Sequence, residues 1–380
     1  MKHLGDITLI DGSKIEPVDV ITFGSPCQDL SIAGKRAGLA GQRSGLFMEA
    51  VRIIKQMQEA TNGEYPKYAV WENVPGAFSS NKGKDFLAVL EELIRIKEPA
   101  ISLPEPPKSK WSKAGGVSGN GWSLAWRTMD AQYWGVPQRR LRISLVLDLT
   151  GGRAGEILFE PESLRGHFAP GITPGQAAPR TAENGVGIKQ DCSFTLNTVD
   201  RHGVAYADSC DNYINHVAKP KIYDARGNGD GITSPTMTGD HNSRITDYTS
   251  VVIEKIIRWI VRRLTPIECE RLQGYPDGWT DLGEWVDSKG KIHKAADTPR
   301  YKALGNSIAL PQWYYVLGGI ADRLPENATL GSLFDGIGGF PYVWSNLHNG
   351  NKSLCVWASE IEEFPIAVTK KHFPENFAVG

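Results

Sequence analysis

The sequence predicts an α/β protein in which a parallel sheet carries a second, smaller and mostly β region. Two observations predict the sheet: short apolar runs rich in β-branched residues, and amphipathic segments that alternate with them. A third predicts the second region, because residues 151–250 are rich in Gly, Thr, Asp, Asn and Pro and have few helical periods. We therefore expect a sheet domain interrupted by a loop-rich insertion.

The first part of the chain alternates strands with helices. Residues 18–23, 68–71 and 141–147 are short apolar runs with the length of buried strands. Residues 46–58 and 85–96 place apolar side chains at helical spacing, which predicts a helix after each of the first two strands. This alternation is typical of a parallel sheet.

The insertion and the elements after it are also visible. Residues 192–198 and 221–223 are short strand candidates between turn sequences. Helical character returns at residues 265–268 (Thr-Pro-Ile-Glu), where Thr suits the N-cap and Pro the first helical position. A further helix is predicted over 306–323, followed by a linker over 324–329.

The last predicted elements are two strands. Residues 330–334 run into a glycine-rich turn, Asp-Gly-Ile-Gly-Gly, and residues 354–358 end at Ser359-Glu360. Both runs are short, apolar and bounded by polar or glycine residues, which is typical of buried strands in an α/β sheet.

Composition excludes several classes of protein. With 41% apolar and 22% charged residues, the chain of 380 residues is neither disordered nor a coiled coil as a whole. The net charge of −1, from 42 Lys and Arg against 43 Asp and Glu, does not support binding of nucleic acid by bulk charge. A site for a polyanion must therefore come from local clustering of cations.

Five widely spaced cysteines without a CxxC pair argue against a disulfide framework or a zinc cluster. The N-terminal residues lack the apolar segment of a secretory signal, and no run of 18 apolar residues is present. From these observations we expect a protein of the reducing cytoplasm that has no membrane span and no metal.

A cysteine lies at the end of the first predicted strand. Residues 24–31 (Gly-Ser-Pro-Cys-Gln-Asp-Leu-Ser) place Cys27 at the edge where open α/β sheets carry their sites. A thiolate in this position can act as a nucleophile if neighbouring groups lower its pKa. These residues alone leave open the alternative of a small buried cysteine.

Charged residues mark the next strands. Glu72 and Asn73 follow the second strand, where an acid can serve catalysis or only cap a loop. Arg140 and Arg142, at the start of a third strand, lie on the same side by strand alternation. Two cations on one side suit an anion or a polarised carbonyl, although a solvated surface explains them as well.

A glycine turn at residues 335–339 is followed about twenty residues later by Glu360 at the end of the next strand. A glycine turn after a strand lets a nucleoside approach the backbone closely. An acid at the next strand end can accept hydrogen bonds from ribose hydroxyls. The combination predicts a nucleoside-binding edge.

Taken together, these residues closely resemble the DNA cytosine-5 methyltransferases of bacterial or phage type. The motifs that carry the resemblance are Pro26-Cys27-Gln28, Glu72-Asn73-Val74, 138–142 (Gln-Arg-Arg-Leu-Arg), 263–268 (Arg-Leu-Thr-Pro-Ile-Glu), 271–276 (Arg-Leu-Gln-Gly-Tyr-Pro), 301–307 (Tyr-Lys-Ala-Leu-Gly-Asn-Ser) and 334–339 (Phe-Asp-Gly-Ile-Gly-Gly). The resemblance covers nearly the whole chain except the variable insertion.

The resemblance implies a Rossmann-like, doubly wound mixed sheet of the type that binds S-adenosylmethionine, with a smaller, loop-rich, mostly β target-recognition domain inserted. Residues 1–154 and 298–380 would form the discontinuous catalytic domain, and residues 155–297 the target-recognition domain.

The motif order departs from that of the family. Its members usually begin with the glycine segment and end with Gly-Asn-Ser, whereas here the glycine segment and Glu360 come last. The chain begins at Gly5-Asp6-Ile7, which resembles the family's next cofactor segment, so joining Gly380 to Met1 restores the usual order. We interpret this as a circular permutation in which residues 324–329 connect the former termini.

The resemblance implies covalent catalysis on a cytosine flipped out of duplex DNA. The Cys27 thiolate would add to carbon 6 while Glu72 holds a proton at ring nitrogen 3, so that carbon 5 can take the methyl group. Arg140 and Arg142 would bind the oxygen of the base or the adjacent phosphate, and Asn73 would brace the loop that carries Cys27.

The resemblance also assigns a site for S-adenosylmethionine, which leaves as S-adenosylhomocysteine. The residues expected to bind it are Phe334, Gly336, Gly338, Glu360, Ile361, Asp6, Ile7, Leu46, Asn306 and Ser307. Family members often have an aromatic residue where Ile361 stands, so this chain departs from the usual stacking at the adenine.

Double-stranded DNA is the expected partner of a monomeric protein. Residues 31–45 form a glycine-rich loop in which Lys35, Arg36 and Arg43 can contact phosphates after closure over DNA. In the insertion, the donors that could read base edges are Arg226, Asn228, His241, Asn242 and Arg244. The expected location is a bacterial cytosol or a phage-infected host, with a partner restriction endonuclease left open.

Three rival interpretations remain at this point. An RNA cytosine-5 methyltransferase would use the same chemistry, although a sizeable region after residues 138–142 favours duplex DNA. A non-catalytic DNA-binding relative would not need the complete set of chemical residues. A nicotinamide-dependent dehydrogenase fits the glycine turn but leaves the cysteine, glutamate and arginine motifs unexplained.

Overall fold

An eight-stranded mixed sheet is the main feature of the computed structural model. The structure describes residues 1–25, 45–106, 110–159, 202–208, 221–224 and 258–374, with the backbone alone for 202–208, 221–224 and 258–262. The strands are β1 (Lys2–His3), β2 (Val20–Phe23), β3 (Tyr68–Asn73), β4 (Ala114–Gly119), β5 (Trp122–Asp130), β6 (Leu141–Asp148), β7 (His202–Asp208), β8 (Lys221–Asp224), β9 (Arg258–Arg263), β10 (Trp285–Val286), β11 (Ile292–His293), β12 (Leu330–Leu333) and β13 (Cys355–Ser359). The helices are α1 (Gly45–Ala60), α2 (Lys84–Ile94), α3 (Ala154–Leu158), α4 (Pro266–Gln273), α5 (Asp297–Asn306), α6 (Leu310–Ala321), α7 (Gly339–Leu347) and α8 (Glu363–His372).

The strand order of the large sheet brings distant parts of the chain together. The order is β1-β13-β12-β2-β3-β6-β5-β4. The first five strands in this order are parallel, whereas β6 runs antiparallel to β3. Strands β12 and β13 lie between β1 and β2, so segments about 300 residues apart in sequence are hydrogen-bonded neighbours.

The sheet is buried on both faces, as expected for a doubly wound fold. All four residues of β2 and all four of β12 are buried, although alternate side chains point to opposite faces. On one face, Ile21, Phe23 and Trp71 share an apolar cluster with residues of α1 and α2. Helix α7 packs against β12 and β13. The predicted Rossmann-like α/β fold is therefore confirmed.

Most predicted elements agree with the structure, and one predicted helix starts later than expected. Strands β2, β3, β6, β12 and β13 and helices α1 and α2 lie where the apolar patterns predicted them. The predicted helix over 306–323 instead begins at Leu310, because α5 ends at Asn306 and extended Ser307 separates the two helices. The predicted strand at 192–198 lies outside the described residues.

Contacts divide the chain into two compact units. The first comprises Met1–Met129, Leu141–Leu164 and Trp313–Gly380 and contains the large sheet. The second comprises Asp130–Arg140 and Arg165–Gln312. The functional division into residues 1–154 with 298–380 and residues 155–297 stays a prediction.

The second unit contains the antiparallel three-stranded sheet β8-β7-β9, the hairpin β10–β11 and helices α4 and α5. The predicted start of α4 is confirmed by its capping box: Thr265 Oγ1 accepts from Glu268 N at 3.3 Å, and Glu268 Oε2 accepts from Thr265 N at 2.7 Å. Gly274 ends the helix with a left-handed φ of 82°.

Within the described part of the chain, no helix is long and apolar enough to span a membrane. Over the same residues, no group of three or more His, Cys, Asp or Glu side chains is arranged to hold a metal ion.

A glycine in β12 allows the close pairing with β13. A Cβ atom at Gly331 would lie 2.3 Å from the ring of its neighbour Trp357, which is itself buried. We expect Gly331→Ala to destabilise the protein by about 1–3 kcal/mol through overpacking. Urea unfolding measures this, with Gly152→Ala as the control because a Cβ atom there meets no atom of the described residues within 4 Å. Equal unfolding midpoints for the two variants would contradict the packing shown here.

Candidate active site

The ends of four parallel strands meet at one edge of the large sheet. Leu333 of β12 pairs with Phe23 of β2 and with Ser359 of β13, and Phe23 pairs with Trp71 of β3. The next residues along these strands are Phe334, Gly24, Glu360 and Glu72. The register therefore aligns the glycine turn, both acids and the segment that leads to Cys27 at the edge where open α/β sheets place their sites.

Glu72 is paired with Arg142. Ser144 of β6 lies opposite Glu72, and Arg142, two residues before it, lies on the same face. The Nε atom of Arg142 is 2.9 Å from Oε1 of Glu72, and the two side chains are only 8% and 15% exposed. The ion pair therefore holds one oxygen of the carboxylate and orients the side chain.

The other oxygen of Glu72 faces the end of β2. A Cβ atom at Gly24 would lie 3.3 Å from Oε2 of Glu72, so a side chain at this position would crowd the carboxylate. The glycine before Ser25 thus leaves room for the acid, a packing role that the sequence motif did not reveal.

Asn73 fixes the backbone that leads to Cys27. Its Nδ2 donates to the carbonyl of Ser25 at 2.9 Å, and its Oδ1 accepts from Val74 N at 2.8 Å. Trp71 Nε1 donates to the hydroxyl of Ser25 at 3.1 Å. Because Ser25 and Asn73 are both buried, these bonds hold the end of β2 against the end of β3.

Several predicted residues lie outside the described part of the chain. These are Cys27, Lys35, Arg36 and Arg43 in residues 26–44, and Arg226, Asn228, His241, Asn242 and Arg244 in the insertion. Their predicted roles in catalysis and DNA binding stay predictions.

The glycine turn has a left-handed backbone at alternate positions. Phe334, Gly336 and Gly338 have φ values of 55°, 58° and 79°. This conformation suits glycine but is strained for Phe334. Among the described residues, no atom lies within 4 Å of a Cβ atom built at Gly336, so the turn is open on that side with respect to them. The open side is the expected approach for a ligand that contacts the backbone.

Glu360 ties the turn to the end of β13. Its Oε2 accepts from Gly336 N at 2.9 Å, and its Oε1 accepts from the backbone N–H groups of Ile361 and Glu362 at 2.7 and 2.9 Å. A carboxylate offers about four lone-pair positions, so Oε2 can still accept from a ligand hydroxyl. Ile361, which is 67% exposed, presents an apolar side chain beside this acid.

Asp6 and Ile7 follow β1 at the neighbouring position of the sheet. Gly5 O accepts from the Ser359 hydroxyl at 2.7 Å, which places this segment beside the end of β13. Asp6 is exposed and caps a short 3-10 helix (Ile7–Leu9) through Thr8, whereas Ile7 is buried in the core. Leu46, at the start of α1, is half-buried against the same core cluster.

Arg140, Asn306 and Ser307 belong to the second unit. The guanidinium of Arg140 is buried and donates to the carbonyls of Gly305 and Ser307. The Tyr275 and Ser307 hydroxyls are 2.5 Å apart, so the turn at 305–307 is held from two sides. Asn306 is exposed. The expected contact of Arg140 with a base or phosphate stays a prediction.

Three residues that shape these segments were not among the predicted site residues. Tyr275 and Gln273 hold the C-terminal end of α5, since the Tyr275 hydroxyl is hydrogen-bonded to that of Ser307 and Gln273 Nε2 donates to Leu304 O at 2.9 Å. Thr369 of α8 contacts the glycine turn at Gly336 O. Tyr275 and Gln273 lie within the Arg-Leu-Gln-Gly-Tyr-Pro motif, which could have singled them out, whereas no sequence signal marked Thr369.

The chain is similar to one described protein family and to several named proteins. Residues 1–97 match the family described as C-5 cytosine-specific DNA methylase. A protein of Escherichia phage P1 named DNA N-6-adenine-methyltransferase is 29% identical over 85% of this chain and 55% of its own length. Type II methyltransferase M.BsuFI of Bacillus subtilis is 27% identical over 85% of this chain and 62% of its length.

Type II methyltransferase M.HpaII of Haemophilus parainfluenzae is 28% identical over 81% of this chain and 73% of its own length. This chain thus matches 55% and 62% of the lengths of the phage P1 and M.BsuFI proteins. The similarity extends through most of the chain and is not confined to the matched N-terminal residues.

The brace formed by Asn73 can be tested by unfolding. Asn73→Ala leaves the Ser25 carbonyl and the Val74 N–H without their partners, and we expect a loss of about 1–3 kcal/mol of stability. Asn73→Asp keeps the acceptor for Val74 but places an oxygen against the Ser25 carbonyl, so it should also destabilise. Urea unfolding of both variants provides the measurement. Wild-type stability in either would show that the brace is not needed.

Proposed function

Because this chain belongs to the C-5 cytosine-specific DNA methylase family, we propose that it transfers a methyl group from S-adenosylmethionine to carbon 5 of cytosine in duplex DNA. The observation that carries the proposal is the alignment of Glu72, Gly24 and the glycine turn at one edge of the sheet. This register puts the acid beside the backbone that leads to Cys27 and next to the open turn.

The residues at this edge suit the methyl donor. The open side of Gly336 allows a ligand to approach the backbone, the free lone pair of Glu360 suits a ribose hydroxyl, and the exposed Ile361 offers an apolar surface for adenine. Asp6, Ile7, Leu46, Phe334 and Gly338 would complete this part of the site, and the predicted cofactor role of Asn306 and Ser307 stays a prediction. When bound, S-adenosylmethionine supplies an electrophilic methyl group.

The protein residues would activate the cytosine. The sulfur of Cys27 forms a bond to carbon 6, and Glu72, held by Arg142, keeps a proton at ring nitrogen 3. Electron density then moves to carbon 5, which takes the methyl group. Loss of the carbon-5 proton to a base restores the double bond, and the sulfur–carbon bond breaks.

Recognition of DNA is the remaining part of the proposal. The base must leave the helix to reach this edge, and Lys35, Arg36 and Arg43 would bind phosphates around it. Arg226, Asn228 and Arg244 would read base edges from the insertion. We also propose that the motif order is circularly permuted, which is supported by the position of β12 and β13 between β1 and β2.

The name of the phage P1 relative suggests a second candidate, methylation of the N6 amino group of adenine. This chain covers 55% of that protein, so the activity in the name can belong to its remaining part. Addition of a thiolate to carbon 6 serves carbon 5 of cytosine, and an exocyclic amine does not need it. The cysteine and glutamate motifs therefore favour cytosine.

Mass spectrometry of nucleosides distinguishes these candidates. Duplex DNA incubated with the protein and S-adenosylmethionine should yield 5-methylcytosine, and bisulfite sequencing should report the modified sequence. Cys27→Ala should abolish the product without loss of S-adenosylhomocysteine binding, while Cys192→Ser serves as a control at another cysteine. N6-methyladenine as the product, methylation of RNA only, or an active Cys27→Ala variant would overturn the proposal.

The pairing of Glu72 with Arg142 gives a second test. We expect Glu72→Ala to lower kcat by about 10²–10⁴ because it removes the group that holds the proton at the ring. Arg142→Ala should lower kcat in the same direction, since Glu72 then loses its ion-pair partner. The exposed Glu326→Ala is the control. Unchanged methyl transfer by both site variants would exclude this role for the pair.

A further inference from the structure

Asp335, inside the glycine turn, is a buried acid for which the proposed chemistry has no use. Its side chain is 5% exposed and lies between β12, β13 and α8. Among the described residues, its Oδ2 is 3.2 Å from the hydroxyl of Thr369, while its Oδ1 makes no hydrogen bond of acceptable geometry, although the Ser332 hydroxyl is near enough to act on the pKa of the acid. A buried carboxylate with so few donors is costly, which raises the question of its protonation state.

The position of Thr369 bears on the protonation state of Asp335. Its Oγ1 atom is 3.2 Å from Asp335 Oδ2 and also 3.2 Å from the carbonyl oxygen of Gly336. A hydroxyl group carries one proton and can donate to only one of these two oxygens. If Asp335 is ionised, one of the two contacts brings lone pairs together without a proton. If Asp335 is protonated, it donates to Thr369, and Thr369 donates to Gly336.

The surroundings favour the protonated acid. Burial raises the pKa of Asp335 to about 7, with a further increase from Glu360, while the Ser332 and Thr369 hydroxyls act in the opposite direction. A further titratable group near it is the Cys355 thiol of β13, whose pKa is also raised, mainly by burial. Helix α7 adjoins the turn with Gly339, Phe340 and Pro341, none of which titrates.

The strained backbone of the glycine turn needs contacts that stabilise it. Phe334 has a left-handed φ of 55°, which is a strained conformation for a side-chain-bearing residue and persists only when its surroundings fix it. Glu360 binds the N–H of Gly336 from one side, and Thr369 contacts the carbonyl of the same residue from the other. Glu360 therefore fixes the N–H of Gly336, and the contact with Thr369 fixes its carbonyl group.

We propose that Asp335 is a neutral carboxylic acid that donates to Thr369, and that the resulting chain to the Gly336 carbonyl holds the glycine turn in the shape that receives the methyl donor. Asp335 is therefore a positioning residue that acts through Thr369. The inference rests on the proposed function for the identity of the ligand, but the hydrogen-bond chain is a property of the protein alone.

The consequence is a proton-linked affinity. Ionisation of Asp335 removes the donor to Thr369 and weakens the hold on Gly336, so cofactor affinity should fall as the pH rises through about 7. For one proton, the dissociation constant increases by up to about tenfold per pH unit. The direction follows from the raised pKa of Asp335, because the protonated form is the one that holds the turn.

Asp335→Asn is the decisive variant. A carboxamide has nearly the same shape, donates an N–H to Thr369 as the acid would, and does not titrate. Titration calorimetry with S-adenosylhomocysteine from about pH 6 to pH 8.5 should show a steeper loss of affinity for the wild type than for Asp335→Asn. The ligand's own amino group titrates in this range, and measurement of both proteins with the same ligand removes its contribution.

Two further variants separate this role from general packing. Thr369→Val keeps the side-chain volume but removes the hydroxyl that links Asp335 to Gly336. The affinity of this variant for S-adenosylhomocysteine should therefore be low at all pH values and should lack the extra pH dependence. Glu360→Gln should weaken binding but keep the pH dependence that arises from Asp335. An equal pH dependence for the wild type and Asp335→Asn would overturn the proposal.

Infrared spectroscopy tests the protonation of Asp335 in the hydrogen-bond chain without the ligand. The difference spectrum of wild type minus Asp335→Asn at about pH 6 should contain the carbonyl band of a protonated carboxyl group. Absence of this band would also overturn the proposal. If the band is present but the wild type does not bind S-adenosylhomocysteine, the protonated Asp335 is supported and the proposed function fails. Failure of the hydrogen-bond chain is therefore distinguishable from failure of the proposed function.

Discussion

The parallel pairing of β12 with β2 is the constraint on which the site depends. Leu330 pairs with Val20 and Leu333 with Phe23, so the glycine turn begins at the level where Gly24 leaves the sheet. A shift of this register by two residues would move the turn by about 6.6 Å along the strand, which is more than the length of a hydrogen bond. Trp71 of β3 pairs with Phe23 of β2, which places the next residue, Glu72, at the same edge of the sheet.

Burial on both faces is what makes this register unambiguous. The residues of β2 and β12 are buried whichever way they point, so a slip by one residue would exchange two differently packed faces. Gly331 adds a local condition, because only a residue without a side chain tolerates the ring of Trp357 beside it. Core packing thus sets the position of the site, and hydrogen bonds such as that from Asn73 to the Ser25 carbonyl then hold the strand ends together.

Two arginines that are close in sequence have different surroundings. Arg142 forms an ion pair with Glu72 in the first unit, whereas Arg140 donates to the backbone carbonyls of residues 305 and 307 in the second. Strand alternation predicted only that the two lie on the same side, and the alternative of a solvated surface is wrong because both are buried. It did not indicate that one would orient an acid and the other would hold a turn.

Although strands β1, β4 and β5 of the large sheet were not predicted, the sequence by itself determined strands β2, β3, β6, β12 and β13, helices α1 and α2 and the start of α4 at Thr265, because apolar spacing and helix caps act over a few residues. It also identified Glu72, Asn73 and Glu360 as polar residues at strand ends. Only the tertiary structure decided that β6 runs antiparallel, that the helix predicted over 306–323 breaks at Ser307, and that Thr369 meets Asp335. These features depend on partners brought together by strand register across hundreds of residues, and local sequence patterns carry no information about such distant partners.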